Sequence, residues 1–276
     1  MNLNNIWVHD FGKFKMVLDS PDKDISEQIK NFGWYKDEMI TTQVFEKYLK
    51  PKMTVLDLGA NVGFYTLLAR SRVGPKGKVF TFEPSPQNAN LIRKSLEKNF
   101  FDNVIVVEAA VADIVGRAPL YLAPDYISEH SLLDYYSSDP NVSQNKIDVK
   151  LITIDNYLEE NAADMKVNFI KMDIEGSETR ALKGMKMTLN ENEHLILITE
   201  FWPNGFYLAK STPKKYLESL KKFGFKIFHI DEFEKKVYPV TVKTMIGIAK
   251  FRIKNHVEKN KEAKYEDWYT NLLCIK

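Results

Sequence analysis

The most informative chemical pattern in the chain is a glycine turn that directly follows a short apolar run. Residues 54–58 are apolar enough for a buried strand, and the run that begins at Phe64 predicts a helix. Four residues across this junction have the spacing D-x-G-x-N-x-G: Asp57, Gly59, Asn61 and Gly63. Glycines let the backbone approach a ligand closely, and the first turn of a helix has free N–H groups. The pattern therefore predicts a cofactor-binding turn.

The spacing of this turn bears on which cofactor it binds. A dinucleotide-binding turn has the fingerprint G-x-G-x-x-G, and its open helix end receives a pyrophosphate. Here Tyr65 and Thr66 stand where the third glycine would fall, so the match to a dinucleotide site is poor. A buried carboxylate needs a partner, and for Asp57 either backbone amides of the turn or the ammonium group of a ligand would serve.

Glu83 stands at the end of the second predicted strand, beside the glycine turn. Open α/β sheets bind ligands at the carboxyl ends of their strands, where a carboxylate can accept hydrogen bonds from both hydroxyls of a ribose. Alternatively, Glu83 supplies a favourable charge to the helix that Ser85 caps and Pro86 begins. A ribose carboxylate also occurs in NAD enzymes, so Glu83 alone does not select the cofactor.

Three further carboxylates end predicted strands. Asp173 and Glu175 follow the strand at 167–172, and Glu200 follows the strand at 195–199. Because the carboxyl ends of parallel strands meet at one edge, these side chains are expected to lie close together. They could hold a divalent cation, and Asp173 could act as a general base. In the alternative interpretation, Asp173 binds a cofactor ammonium group and Glu175 caps a helix.

His130 is the second candidate base. It lies in the segment 126–150, which is polar, rich in aromatic residues and without a period. Such a long loop inside a compact domain is usually a functional lid or disordered, and we interpret it as a candidate lid. The unperturbed pKa of histidine suits a general base near neutrality.

Alternating strand and helix patterns predict the fold class. The chain is expected to be α/β, with a mostly parallel seven-stranded sheet and helices on both faces. The strand patterns lie at 54–58, 78–82, 103–107, 167–172, 195–199, 225–230 and 271–275, and one added strand lies at 117–122.

The domain organisation follows from the start of this alternation. Residues 1–50 are interpreted as a leader that caps the substrate side, or as a helix that packs under the sheet. Residues 51–276 form the catalytic domain, and 240–268 is a basic insertion before the last strand. The basic residues at 243–264 either contact an anionic partner or surface weakly or form a solvated face.

Composition limits the class of protein. The 276 residues include 39 Lys and Arg against 37 Asp and Glu, a balance that argues against a dedicated nucleic-acid binder. The single cysteine, Cys274, excludes an internal disulfide framework and fits a reducing compartment. No signal-peptide pattern and no apolar run of membrane-spanning length is visible, so a cytoplasmic protein is expected.

Four strings in this order resemble one family: DLGANVGFYT, FEPSPQN, TIDNYL and KMDIEGSE. The chain resembles the FkbM-type methyltransferases, a Rossmann-like class I family, from about residue 35 to residue 200. The first string alone resembles motif I of class I methyltransferases in general. The resemblance implies S-adenosylmethionine (SAM) as cofactor and methylation of oxygen, frequently on hydroxyls of sugars or glycan-linked natural products.

The resemblance also implies roles for individual residues. Glu83 would hold the ribose, Ala110 or Val111 would flank adenine, and Asp173 and Glu175 fall on the family's D-x-E-G-x-E signature. His130 departs from a Ser-rich family stretch. The candidate catalytic residues are Asp173 and Glu175 from the resemblance, and His130 and Glu200 from their positions in the sequence. The implied cofactor-binding residues are Asp57, Gly59, Ala60, Asn61, Gly63, Tyr65, Thr66, Glu83, Pro84, Ser85, Asn88, Ala110, Val111 and Asp173.

The function that these observations favour is a SAM-dependent O-methyltransferase that acts on a small-molecule or glycan acceptor and not on nucleic acid. Two alternatives stay open at this point. A nicotinamide-dependent oxidoreductase could use a similar sheet, although the missing third glycine and the lack of a Tyr-x-x-x-Lys pair in the middle region weigh against it. A SAM-binding protein without catalysis is the other.

Overall fold

The computed structural model describes residues 6–19, 25–123, 130–134, 145–259 and 268–276. The predicted leader forms a hairpin and two helices: β1 (Ile6–Asp10), β2 (Lys15–Asp19), α1 (Ile25–Phe32) and α2 (Met39–Tyr48). The hairpin packs on helix α4 (Pro86–Asn99), where Ser95 Oγ accepts the Val17 N–H at 2.9 Å. Most of the leader is therefore a packing element.

The remaining elements alternate between strand and helix. They are β3 (Thr54–Leu58), α3 (Phe64–Val73), β4 (Lys78–Phe82), α4, β5 (Val104–Val107), β6 (Ala110–Val111), β7 (Gly116–Tyr121), β8 (Lys146–Ile152), α5 (Ile154–Ala162), β9 (Phe169–Met172), α6 (Glu178–Gly184), α7 (Lys186–Glu191), β10 (Ile196–Phe201), α8 (Pro203–Leu208), α9 (Pro213–Lys222), β11 (Lys226–Asp231), β12 (Lys236–Pro239), α10 (Val242–Lys259) and β13 (Thr270–Ile275).

The central sheet has eight strands in the order β12-β11-β13-β10-β9-β3-β4-β5. The five strands from β10 to β5 are parallel, and β13 runs antiparallel between β10 and β11. The α/β fold with its seven predicted strands is confirmed, and the short edge strand β12 makes an eighth. Strands β6, β8 and β7 form a separate three-stranded sheet.

Two hydrophobic cores cover the two faces of the sheet. One contains Phe45 of α2 and Leu67 of α3, and the other contains Leu182 of α6 and Leu217 of α9. Since side chains alternate along a strand, each central strand contributes to both cores. Both cores leave the carboxyl ends of β3, β4, β9 and β10 at one edge, as expected for ligand binding.

The structure adds a helix to the interpretation of the basic insertion at 240–268. Its first part is the helix α10, whose Met245 and Ala249 are buried one turn apart against the second core. Because Met245 and Ala249 are four residues apart, they lie on the same face of the helix. The surrounding lysines and threonines obscured this helical period in the sequence. No helix in the described ranges has both the length and the apolar content needed to cross a membrane.

The candidate lid at 126–150 falls largely outside the described residues, which omit 124–129 and 135–144. Its last part is not loop, because β8 begins at Lys146 and pairs with β7 along its length. Ser131 forms an isolated bridge with Tyr121, so the described short piece around His130 is attached to the three-stranded sheet.

Candidate functional site

The glycine turn is shaped by contact with the neighbouring strand. A Cβ atom built on Gly59, whose φ is +79°, would lie 1.8 Å from the carbonyl oxygen of Asp173. On Gly63, whose φ is +91°, it would lie 2.9 Å from Cγ1 of Ile92 on α4. Both glycines therefore also serve close packing of the chain on itself, and their part in cofactor binding stays a prediction.

Glu83 joins the glycine turn to the next helix. Its Oε2 accepts the Asn61 N–H at 2.8 Å, and its Oε1 accepts the Ser85 N–H at 2.8 Å. Ser85 caps α4 as predicted, by accepting the Asn88 N–H at 3.4 Å. Burial raises the pKa of Glu83 to about 8, against the opposing effect of the two backbone hydrogen bonds. The carboxylate thus organises the turn from inside, which sequence spacing did not reveal.

A cleft opens at this edge, and we call it the glycine-turn cleft. Its empty volume, with the solvent space of its open mouth included, is about 510 Å³. Two polar atoms on its walls, Asn88 Oδ1 and Ser177 Oγ, are buried and have no hydrogen-bond partner among the described residues. Buried polar atoms are normally hydrogen-bonded, so these two fit the polar groups of a ligand.

Behind the cleft, polar side chains form a row on one face of the sheet. Thr81, Asp57 and Lys171 are direct neighbours across β4, β3 and β9. Asp57 accepts a hydrogen bond from Thr66 Oγ at 2.5 Å. Burial raises the pKa of Asp57 to about 6, while the Thr66 hydrogen bond and the charge of Lys171 oppose the rise. Asp57 is therefore satisfied by a side chain and not by the turn amides.

Lys171 is the centre of a buried ionic network. It is 1% exposed, and its Nζ donates to Asp173 Oδ2 at 2.7 Å and lies 4.9 Å from the centre of the Tyr65 ring. Despite burial, the carboxylates of Asp173 and Glu38 raise its pKa, so the ammonium stays charged. Glu38 accepts hydrogen bonds from Tyr65 Oη at 2.7 Å and from Asn271 Nδ2 at 2.5 Å.

Three carboxylates meet beside this network, and we call Asp173, Glu175 and Glu200 the carboxylate cluster. Their oxygens lie within 4.8 Å of one another. Burial, and then the charges of Glu175 and Asp173, raise the pKa of Glu200 well above its usual range. The strand ends thus bring together the three acidic residues that were predicted to share one edge.

His130 lines the glycine-turn cleft together with Asp173 and Glu175. Its Nδ1 accepts the N–H of Ala123 at 3.2 Å, so the neutral ring carries its proton on Nε2. Burial lowers the pKa of His130 to about 4. A ring in this state donates a hydrogen bond to a ligand and has no lone pair left to accept a proton, which favours Asp173 as the base.

A second, larger cavity lies at the other end of the same edge, and we call it the C-terminal groove. Its empty volume, measured in the same way with its open mouth included, is about 2510 Å³. We call the part of the groove at Glu38 and Asn271 its inner end. It adjoins the carboxylate cluster through the sheet, because Asn271 is the sheet neighbour of Glu200, while the three cluster residues themselves are not on the groove wall. Aromatic side chains line its outer part: Phe233, Tyr238, Phe251, Trp268 and Tyr269.

The predicted cofactor-binding residues divide into two groups. Those on the wall of the glycine-turn cleft are Gly59, Asn61, Glu83, Pro84, Asn88, Ala110, Val111 and Asp173. Those not on its wall are Asp57, Ala60, Gly63, Tyr65, Thr66 and Ser85, all of which are buried or glycine. The second group supports the first, for example through the hydrogen bonds that Ser85 makes with Glu83 and Asn88.

Sequence reasoning missed Lys171, Glu38 and the role of Glu178. Lys171 carried a signal, because it is a charged residue inside the otherwise apolar strand at 167–172. Glu178 is fully buried, and its Oε1 accepts the N–H groups of Ile174 at 3.1 Å and Gly176 at 3.3 Å. It thereby fixes the turn that carries Glu175. Glu38 gave no signal, since its partners are distant in sequence.

Comparison with known proteins gives matches to methyltransferases. The chain matches the methyltransferase FkbM domain over residues 57–227, more than half of its length. Methyltransferase sdnD of Sordaria araneosa is 23% identical over a 175-residue alignment that covers 55% of this chain and 67% of that protein. Methyltransferase 1 of Beauveria bassiana is 23% identical over 158 residues, with 52% of this chain and 61% of that protein covered.

Solved structures of methyltransferases are also similar. A SAM-dependent O-methyltransferase from Thermotoga maritima has a TM-score of 0.45 and 11% identity, covering 95% of this chain and 73% of its own. Fibrillarin from Aeropyrum pernix, solved with bound SAM, has a TM-score of 0.41 and 11% identity, covering 73% of this chain and 74% of its own.

Proposed function

Since the chain belongs to the FkbM family of methyltransferases, which use SAM, we propose that it methylates a hydroxyl group of a sugar or glycan-linked acceptor. The observation that carries this proposal is the position of the carboxylate cluster. Asp173 and Glu175 line the glycine-turn cleft, where we place the cofactor, and Glu200 is the sheet neighbour of Asn271 on the wall of the C-terminal groove, where we place the acceptor. The nicotinamide alternative is set aside because the family is a methyltransferase family.

The walls of the glycine-turn cleft suit the parts of SAM. Glu83 would accept hydrogen bonds from the ribose hydroxyls with its remaining lone pairs, and Ala110 and Val111 offer an apolar wall for adenine. Asn88 Oδ1 and Ser177 Oγ, which are buried without a hydrogen-bond partner among the described residues, would form hydrogen bonds with polar groups of SAM. Asp173 also lines the cleft, where its carboxylate would attract the sulfonium charge that SAM has and SAH lacks.

The C-terminal groove suits a carbohydrate acceptor. Its aromatic rings offer flat apolar surface to the C–H faces of a sugar, and Phe251 is 62% and Tyr269 47% exposed. Carboxylates such as Asp37 and Glu234 on its walls can accept hydrogen bonds from sugar hydroxyls. A sugar bound there would present one hydroxyl to the carboxylate cluster through the inner end at Asn271.

The protein's contribution to the chemistry is alignment and removal of one proton. When bound, SAM supplies an electrophilic methyl group; the acceptor oxygen bonds to it while the C–S bond breaks, leaving S-adenosylhomocysteine (SAH). Lys171 holds Oδ2 of Asp173, which leaves Oδ1 to take the hydroxyl proton. Fixed orientation of the oxygen and the methyl group supplies much of the rate.

We expect the affinity for 5′-methylthioadenosine to rise with pH because of Glu83. This probe keeps the ribose diol but lacks the amino acid group. Ribose hydroxyls donate hydrogen bonds and favour the ionised carboxylate, whereas burial in the free protein raises the pKa of Glu83 to about 8. Affinity should therefore strengthen by up to about tenfold per pH unit and level off above about pH 8. Calorimetry between pH 6 and 9 measures this.

The matched variant for this experiment is Glu83→Gln. It should bind the probe about 10- to 100-fold more weakly, the scale of a lost charged hydrogen bond, and its affinity should not depend on pH. Equal pH dependence in the variant and the parent protein would show that Glu83 does not hold the ribose.

The proposed acceptor class is tested by incubating the protein and SAM with a panel of sugars and glycosides, and with amine and thiol analogues of the same size. Mass spectrometry should find one added methyl group on a sugar oxygen. The variant Tyr269→Ala should raise KM for the sugar and leave SAH affinity unchanged. Transfer confined to nitrogen, sulfur or carbon would refute the proposal.

A further inference from the structure

We propose that Asp173, Glu175 and Glu200 form a binding site for one hard divalent cation at the carboxyl ends of β9 and β10, beside the glycine-turn cleft. Each residue offers one carboxylate oxygen, and the three oxygens lie within 4.8 Å of one another. An all-oxygen set of carboxylates suits Mg²⁺, Mn²⁺ or Ca²⁺, with water completing the coordination. The site itself is independent of the acceptor, whereas its role in catalysis rests on the proposed function.

The observation that points to a ligand is the state of Glu200. Its side chain is 6% exposed, and its Oε2 is buried without a hydrogen-bond partner among the described residues. The nearby Lys171 ammonium donates its hydrogen bond to Asp173. A buried carboxylate oxygen without a partner is costly, and a cation bound between the three residues would supply the missing contact.

The turn that carries Glu175 is held on both sides. The φ angle of Glu175 is +50°, a conformation that non-glycine residues rarely adopt. Glu178 accepts two N–H groups of this turn, and Ser131 Oγ donates to the Glu175 carbonyl oxygen at 2.8 Å. The side chain of Glu175 is therefore presented beside Asp173 and Glu200 by a fixed backbone, as the ligands of an ion site need to be.

With the ion bound, Asp173 is a ligand. The ion would then act as a Lewis acid that makes the acceptor hydroxyl more acidic, and the released proton would pass to water. Lys171 keeps its hydrogen bond to Oδ2, so Oδ1 of Asp173 is the oxygen available for the ion. A chelator should stop methylation if the ion activates the hydroxyl, and should leave methylation unchanged if Asp173 acts as the base.

The test is direct ion binding to the full chain after removal of metals with EDTA. Titration with Mn²⁺, followed by electron paramagnetic resonance, should show one ion per chain, and competition by Mg²⁺ and Ca²⁺ ranks the three ions. Glu200→Gln should weaken Mn²⁺ binding by about tenfold or more. The control is Glu108→Gln, a half-exposed carboxylate that pairs with Arg93. SAH binding shows that each variant is folded.

Several outcomes separate this inference from the proposed function. Absence of saturable Mn²⁺ binding, or equal affinities in the two variants, overturns the ion site. If methylation of sugar hydroxyls proceeds unchanged in EDTA and no ion binds, the ion site fails and the proposed function stands. If one Mn²⁺ binds at this site and no hydroxyl is methylated, the ion site stands and the proposed function fails.

Discussion

Gly59→Ala is expected to destabilise the whole fold, and SAH binding should disappear as a consequence. The new Cβ atom would lie 1.8 Å from the carbonyl oxygen of Asp173, so β3 and β9 would have to move apart. The expected loss in free energy of unfolding combines about 1–3 kcal/mol of left-handed backbone strain with about 1–3 kcal/mol of overpacking. Urea denaturation followed by circular dichroism measures the loss.

Two glycines provide matched controls. Gly74 also has a left-handed φ, +71°, but a Cβ atom there would meet nothing within 4 Å. Gly116 has neither constraint. Gly74→Ala should therefore show the cost of strain alone, and Gly116→Ala almost none. If Gly59→Ala costs no more than Gly74→Ala, the contact with Asp173 does not limit this position. A variant that folds normally and loses only SAH binding would instead support the approach of the cofactor.

Local signals made the fold predictable. The alternation of apolar strands with helices depends on residues near one another in sequence, and so does the cap of α4, where Ser85 accepts the Asn88 N–H three residues later. The closeness of Asp173 and Glu200 was predictable too, because both end parallel strands that are neighbours in the sheet. In these cases a short pattern and one rule of sheet geometry were sufficient.

The parts that sequence missed depend on contacts between distant residues. Asn271 and Glu38 share a hydrogen bond across 233 positions, and Asp57 and Lys171 meet only because β3 and β9 pair. The glycine turn was recognised by its spacing, but the reason for Gly59 is a backbone atom of Asp173, far along the chain. A sequence pattern identifies a turn that requires glycine, whereas the tertiary structure shows which neighbouring atom causes that requirement.

Asp173→Asn is expected to lower turnover by about 100-fold or more, the usual scale for loss of a general base, while SAH binding persists. The asparagine keeps the shape of the side chain and an oxygen for the hydrogen bond from Lys171 Nζ. It loses the charge that takes the proton or holds the ion. Single-turnover transfer to a sugar acceptor measures the effect, and SAH calorimetry shows that cofactor binding is intact. Asp148→Asn, which changes an exposed carboxylate paired with Arg117, is the control.

His130→Ala decides between the two candidate bases in the same assay. Nδ1 of His130 accepts the Ala123 N–H, and the pKa of His130 is lowered to about 4, so the neutral ring donates through Nε2. His130→Ala should therefore reduce turnover far less than Asp173→Asn does. The reverse order would make His130 the base and contradict the hydrogen-bond assignment. If turnover falls in both variants only as far as SAH binding falls, both residues hold the cofactor, and proton removal belongs to another group.

Repeating the Asp173→Asn comparison in EDTA separates the loss of a base from the loss of an ion ligand. If Asp173 acts as an ion ligand, EDTA lowers the turnover of the parent protein to that of the variant. If Asp173 acts as a base, the parent protein keeps its turnover in EDTA.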